Sequence, residues 1–278
     1  MSKVPYLRIA TEEAFAPPEL LDIYTKILAK DAVDPGFKGL MGFYMSSPSA
    51  RATHIMRCLT DLDRVRLQHM DEAGIDHQVI ALTSPGVQVM DKATAVSFSI
   101  LANDQLAEAV RRHPTRFTGM IAVAPQDPVA AAKEIERGVI KLGMHSVIIT
   151  AGVFDRFPKL QMIIGHMGEA LPFWAYRLDY MHQATVKSQR YDSMKPIRKK
   201  PSDYLKENFI ITNSGVAWEK AIKFTQDVVG VDRVMYAMDY PYQYAVEEVA
   251  VMDNMQMSDA DKLKFFQTNA QRVFKIKF

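Results

Sequence analysis

Short runs of consecutive apolar residues recur along the chain, at 7–10, 78–82, 117–123, 144–149, 161–164, 209–211 and 233–238. Unbroken apolar runs belong to strands buried on both faces, which is the condition of a parallel sheet covered by helices. Between most of them lie segments of helical periodicity. Over 57–73, Leu59, Leu62, Val65, Leu67 and Met70 fall near one face before Gly74 stops the pattern. The stretch 95–112 repeats it, and 128–142 does so again before Gly143. Alternating strand and helix predicts an α/β fold with a parallel sheet, closed as a (β/α)8 TIM barrel.

Seven strand candidates are one short of such a barrel, and the shortfall has an address. Between the strand ending at Thr150 and the one starting near Gln161 lie only about ten residues, at or below the dozen or so that a parallel crossover needs. Gly152 and Pro158 further spoil that stretch as a helix. The expectation is a barrel lacking the segment around the fifth strand, with the joint at Thr150/Ala151. A length of 278 residues suits one barrel domain spanning 1–278.

Three of the apolar runs end abruptly in an acid or a histidine: Ile9-Ala10-Thr11-Glu12-Glu13, Met162-Ile163-Ile164-Gly165-His166 and Met235-Tyr236-Ala237-Met238-Asp239. Barrel enzymes carry their catalytic groups at the C-terminal strand ends, so Glu12, His166 and Asp239 form one candidate site. Closure would make the first and last strands neighbours, and with them Glu12 and Asp239. Carboxylate oxygens with an imidazole nitrogen suit a divalent ion that keeps positions open for substrate. Taken singly, Glu12 or Glu13 reads as a surface or capping acid. Asp239, between Met238 and Tyr240, carries a desolvation cost unless a metal or a donor compensates. His166 is flanked by Gly165 and Gly168, and Glu169 is placed to orient its second nitrogen.

Further along, Arg51 is a cation in a loop after the first strand, suited to gripping a carboxylate, and Arg177 follows His166 in an aromatic setting. Both also read as ordinary ion-pair or snorkelling arginines. Tyr242 could donate into the site or pack its rim. His54, His69, His77, His113, His145 and His182 lack such context and read as structural or surface groups. The single cysteine, Cys58, rules out an internal disulfide and a cysteine-cluster metal site, and reads as a buried thiol.

Thirty-four Lys and Arg against 32 Asp and Glu leave a formal charge of +2, with no steering field for nucleic acid or an anionic membrane. No apolar run is long enough to span a bilayer and the N-terminus lacks a signal-peptide profile, so a cytoplasmic setting is expected. The basic stretch 188–201 reads as a solvated loop.

The segments Ala10-Thr11-Glu12-Glu13-Ala14-Phe15, Leu82-Thr83-Ser84-Pro85-Gly86-Val87-Gln88, Gly165-His166-Met167-Gly168-Glu169 and Met238-Asp239-Tyr240-Pro241-Tyr242 together resemble the decarboxylase branch of the amidohydrolase superfamily. The likeness runs in order through nearly the whole chain. It implies a barrel holding one divalent metal, manganese first and zinc second, with Glu12 and Asp239 as ligands and His166 close by. Related decarboxylases divide over a second histidine two positions after the first acid, and Ala14 stands there, as in the carboxyvanillate type. The family's fifth strand ends in a His-Pro whose histidine is a metal ligand, and that histidine has no counterpart here.

The implied reaction is non-oxidative loss of carbon dioxide from an ortho-hydroxy aromatic acid. Asp239 and His166 would be catalytic, and Arg51, Arg177 and Tyr242 would bind a small aromatic acid substrate. A homo-oligomer, dimer or tetramer, goes with the family. Two alternatives stand beside it: metal-dependent hydrolysis of a lactone, amide or ester, and a barrel relative impaired by the missing segment. Glu12-Glu13-Ala14 in place of the hydrolases' His-x-His favours decarboxylation.

Overall fold

The computed structural model describes residues 4–30, 32–142, 146–147, 159–188 and 196–277. In chain order the strands are β1 (Ile9–Phe15), β2 (His77–Leu82), β3 (Phe117–Ile121), β4 (Ser146–Val147), β5 (Met162–Ile164), β6 (Phe209–Thr212) and β7 (Val234–Met235). The helices of eight residues or more are α1 (Pro18–Leu28), α2 (Ala50–Thr60), α3 (Arg64–Ala73), α4 (Lys92–Arg112), α5 (Pro128–Leu142), α6 (Leu171–Ser188), α7 (Pro201–Asn208), α8 (Glu219–Val229) and α9 (Val246–Asp253). Every described strand pairing is parallel, and strands neighbour one another in sequence order, β1-β2-β3-β4 in one sheet and β5-β6-β7 in the other. Each of the seven apolar runs of the sequence contains strand residues among those described.

The two sheets meet at β7 and β1. Thr11 donates its backbone N–H to the Tyr236 carbonyl at 3.0 Å and its hydroxyl to the same oxygen at 2.7 Å, and Ala14 N–H reaches the Tyr240 carbonyl at 2.8 Å. First and last strands are therefore neighbours, as closure requires. One buried cluster joins Ile9 of β1, Val79 and Ala81 of β2, Met120 of β3, Ile210 of β6 and Met235 of β7, with Ile163 of β5 packed against it. Ala270 and Phe274, from the C-terminal helical segment, complete it. Strands from both sheets thus wrap a shared interior. The larger cluster lies between the sheets and the helices. The expected joint at Thr150/Ala151 lies outside the described residues.

The periodicity over 57–73 predicts a single helix, and the structure divides it into α2 and α3. Asp61 is the cause: its Oδ1 accepts from the N–H groups of Asp63, Val65 and Arg66 at 3.0, 3.1 and 3.3 Å. A side chain that satisfies the free amides of a new helix start competes with continuation of the old helix. Gly74 then ends α3 in the left-handed conformation, φ 66°, as the pattern predicts. The helices expected at 95–112 and 128–142 stand as α4 and α5. Asp91 caps α4 by accepting from Thr94 N–H.

Strand β1 is longer than the run 7–10 implies and is irregular. Its register against β2 shifts between Ala10 and Glu13, so β1 carries one extra residue there. Such a bulge breaks the strict alternation of faces and re-aims side chains. Both glutamates consequently serve the same end of the fold. No helix among the described residues is long and apolar enough to cross a membrane.

Candidate active site

A cavity of about 370 Å³ opens where β1, β2, β5 and β7 end, lined among others by Glu12, Leu40, Tyr44, Thr83, His166, Asp239 and Tyr242. The three strand-end residues singled out in the sequence therefore share one cavity, and Tyr242 joins them.

Glu12 lies inside β1 rather than after it. Thr212, at the end of β6, donates its hydroxyl to Glu12 Oε2. Gly165 makes room for the carboxylate: a Cβ at that position would lie 2.2 and 2.4 Å from the two Glu12 oxygens. The glycine before the histidine is a steric requirement of the acid on the opposite strand. Burial raises the Glu12 pKa, and the Asp239 and Glu169 carboxylates add to the rise, against the Thr212 bond and His166, which lower it.

His166 follows β5, in a left-handed turn with φ 50° at His166, 57° at Met167 and 51° at Glu169. Positive φ at non-glycine residues stores strain and gathers at functional sites. Its Nδ1–H donates to the Ser214 carbonyl at 2.8 Å, which leaves Nε2 as the nitrogen able to exchange a proton with the cavity. That carbonyl, not Glu169, orients the ring. Glu169 is exposed and acts on it through charge alone. Burial works against the His166 cation, but the Ser214 bond and the Glu12, Asp239 and Glu169 carboxylates prevail, and its pKa is raised.

Asp239 also has positive φ, 71°. Two arms hold that strain in place. Glu13, fully buried, accepts from Met238 N–H at 3.0 Å and from Tyr240 N–H at 2.9 Å, one on each side of Asp239. Gln243 N–H donates to the Asp239 carbonyl at 2.9 Å. Beneath it Gly215 is the second tight position, where a Cβ would stand 3.2 Å from Asp239 Oδ2 and 3.5 Å from His166 Nδ1, at φ +64°. Burial raises the Asp239 carboxyl pKa, against His166 and Ser214, which lower it.

Glu13, Thr212 and Ser214 have no role in the sequence reading. Glu13 is neither a capping nor a surface acid but the clamp on the Asp239 backbone. Its own carboxyl is pushed up to about 7 by burial, with the two backbone bonds and Arg66 pulling down and Asp239 pushing up. The sequence signal was the doubled acid, readable only with knowledge of the bulge. Thr212 and Ser214 follow an apolar run without an ionisable group to mark them.

Arg51 stands in the first turn of α2, behind a Ser49 cap, rather than in a loop. It is exposed, and its Nη2 donates to the Tyr242 carbonyl at 3.4 Å, which puts it at the cavity rim. The Tyr242 hydroxyl bonds the Thr83 hydroxyl inside the cavity. Arg177 does not join them. It is exposed on α6 and is not among the cavity's lining residues.

Glu12, Asp239 and His166 bring to one cavity the donor types, two carboxylates and an imidazole, that a hard or borderline divalent ion takes. The physical sign is that burial holds both acids above their ordinary pKa, an electrostatic deficit that a cation would relieve.

The family model for amidohydrolases matches residues 140–276. The chain is 45% identical to the 5-carboxyvanillate decarboxylase of Novosphingobium aromaticivorans DSM 12444, whose crystal structure holds manganese and 4-hydroxy-3-methoxy-5-nitrobenzoic acid. That likeness has a TM-score of 0.94 and covers 98% of this chain and 97% of the other. The dihydroxybenzoic acid decarboxylase of Polaromonas sp. JS666, solved with manganese and the inhibitor 2-nitroresorcinol, is 26% identical, with a TM-score of 0.80 and 97% of each chain covered. The γ-resorcylate decarboxylase of Rhodococcus jostii (strain RHA1) is 27% identical over 347 residues, 97% of this chain and 98% of the relative. That alignment is longer than the 278 residues of the chain itself, so the relative carries segments without a counterpart here.

Proposed function

We propose, from the premise that this chain belongs to the amidohydrolase superfamily and to its decarboxylase branch, that it removes carbon dioxide from an ortho-hydroxy aromatic acid of the 5-carboxyvanillate type. The observation that carries the reading is the convergence of Glu12, His166, Asp239 and Tyr242 on one cavity of a size suited to a single aromatic ring. Glu12 and Asp239 would hold one divalent ion, Mn2+ in this reading, with His166 close by. When bound, such an ion supplies Lewis acidity toward the substrate's phenolic and carboxylate oxygens and fixes the ring in place.

The chain's own residues do the rest. Asp239, on the cavity wall, is placed to carry a proton and deliver it to the ring carbon as the bond to the carboxyl group breaks and carbon dioxide leaves. His166, fixed through Nδ1, directs Nε2 toward the cavity, to hold the substrate oxygen or hand a proton to Asp239. Tyr242 and Arg51 bind oxygen substituents near the rim. Leu40 and Tyr44 add apolar surface to the cavity wall. Arg177 has no part in this cavity.

The reading extends to the whole chain as one domain: a (β/α)8 barrel in which the segment around the fifth strand is lacking at Thr150/Ala151, with its histidine ligand. The length of the alignment with the relative supports it. Self-association is part of the reading, supported by Phe173, Trp174, Tyr176 and Tyr180, which are exposed along α6. The test is product analysis after incubation with Mn2+ and 5-carboxyvanillate. Carbon dioxide with vanillate supports decarboxylation; a product that retains every carbon and gains water supports hydrolysis and overturns it.

A further inference from the structure

Away from the cavity, His54, Cys58 and His69 each offer one ligand atom, and the three atoms lie within 4.8 Å of one another. His54 and Cys58 stand one turn apart on α2, a spacing that puts both on one face. The His54 Nε2 is 3.5 Å from the Cys58 sulfur. His69 comes from α3, its ring centroid 5.4 Å from that of His54. Two aromatic residues fix it: Tyr244 stacks on the ring at 4.5 Å, and the Tyr240 hydroxyl lies 3.0 Å from Nδ1. His54, by contrast, is exposed, while Cys58 is fully buried.

We propose that this cluster is a second metal site, taking a thiophilic divalent cation such as Zn2+ through two imidazoles and one thiolate. Tetrahedral zinc, with bonds of about 2.3 Å to sulfur and about 2.0–2.1 Å to nitrogen, sets its donors roughly 3.3–3.6 Å apart. The His54 nitrogen and the Cys58 sulfur, 3.5 Å apart, already meet that spacing, and the wider separations, up to 4.8 Å, involve His69. Soft sulfur and borderline nitrogen separate it chemically from the carboxylates of the cavity. Three protein donors leave a fourth position for water. The Tyr240 hydroxyl, 3.0 Å from His69 Nδ1, is also hydrogen-bonded to the Cys58 side chain and so helps fix both residues.

The protonation states agree with this geometry. Burial keeps the His69 imidazole neutral, with His54 and Arg66 adding to the effect, so a lone pair is available. Burial also raises the Cys58 thiol pKa, so that an incoming ion must displace the proton. Arg66, which donates to the Cys58 carbonyl at 3.3 Å, favours the thiolate but adds positive charge beside the ion. Affinity is therefore expected below that of a closed four-ligand zinc site.

Cobalt(II) on the full chain tests this. Cys58 is the chain's single cysteine, so a thiolate-to-cobalt charge-transfer band can arise at no other place. The band is expected to saturate at one cobalt per chain, to persist when Mn2+ is supplied first, and to bleach on addition of Zn2+. It should vanish in Cys58→Ser and weaken by at least about tenfold in apparent affinity in His54→Ala, the loss that even an outer partner of a metal brings. His54 is exposed, so that variant folds even if the buried serine does not. No band in the folded wild-type chain, or a band of unchanged affinity in both His54→Ala and His69→Ala, overturns the proposal.

Discussion

Adding one methyl group at Gly165 isolates the contribution of the Glu12 carboxylate. The glycine has extended backbone, φ −73° and ψ −178°, which alanine adopts freely, so the substitution adds no backbone strain. Its Cβ would nevertheless sit 2.2 Å from Glu12 Oε1, 2.4 Å from Oε2 and 2.6 Å from Cδ. Ordinary van der Waals contact begins near 3.4 Å, so the carboxylate must retreat by about 1 Å. It is the far end of a flexible side chain, and the retreat costs the fold little. It costs the site far more, because it pulls Glu12 from the Thr212 hydroxyl and from the cavity it shares with Asp239.

A misplacement of about 1 Å in a catalytic group lowers rate on the order of 10²-fold, equivalent to about 2.7 kcal/mol in the barrier. Gly165→Ala is therefore expected to lose about that factor in kcat/KM for carbon dioxide release from 5-carboxyvanillate, and to need more Mn2+ for half-maximal rate. Its thermal midpoint should stay within a few degrees of wild type. Wild-type kcat/KM and metal requirement in a folded Gly165→Ala protein would refute the steric reasoning and the role of Glu12 together.

Tyr242→Phe removes the hydroxyl that bonds Thr83, and about a tenfold rise in KM in steady-state assays, the worth of one hydrogen bond, is the expected result. Arg66 is fully buried, donating to the Asp61 and Ala14 carbonyls at 3.0 and 2.6 Å and to Gln78 Oε1 at 3.2 Å. Arg66→Leu strands these acceptors and should cost more than about 3 kcal/mol in urea unfolding. At Asp63, burial opposes ionisation, but bonds from His113 and Arg112 prevail and lower the pKa. The ionised form is thus favoured in the folded state, and its contribution is present above the unfolded pKa near 3.8 and lost as pH falls through the lower folded value. Asp63→Asn should flatten the acid limb of the thermal midpoint against pH, by less than about 1 kcal/mol because the pair is exposed.

Much of the frame was legible because unbroken apolar runs leave few options besides buried parallel strands. Glu12, His166 and Asp239 were legible for a related reason, since ionisable groups closing such runs have to be accounted for. What escaped depends on contacts between distant segments. The bulge in β1 is a matter of register with β2, and without it Glu13 reads as a surface or capping acid. Asp61 looks like one more acid in a helical stretch until its carboxylate is seen capping α3. The orientation of His166 rests on a backbone carbonyl at Ser214, which no side-chain pattern announces. Arg177 shares sequence proximity with His166, yet it is exposed on α6 and does not line the cavity.

The central claim, that Glu12 and Asp239 hold one divalent ion on which aromatic decarboxylation depends, is tested most directly by titrating metal-stripped protein with Mn2+ while carbon dioxide release is measured. Activity that rises to a plateau at one Mn2+ per chain, and that is abolished in both Glu12→Gln and Asp239→Asn, is the predicted result. Folded protein that releases no carbon dioxide at saturating Mn2+, or activity that survives both substitutions, would contradict it.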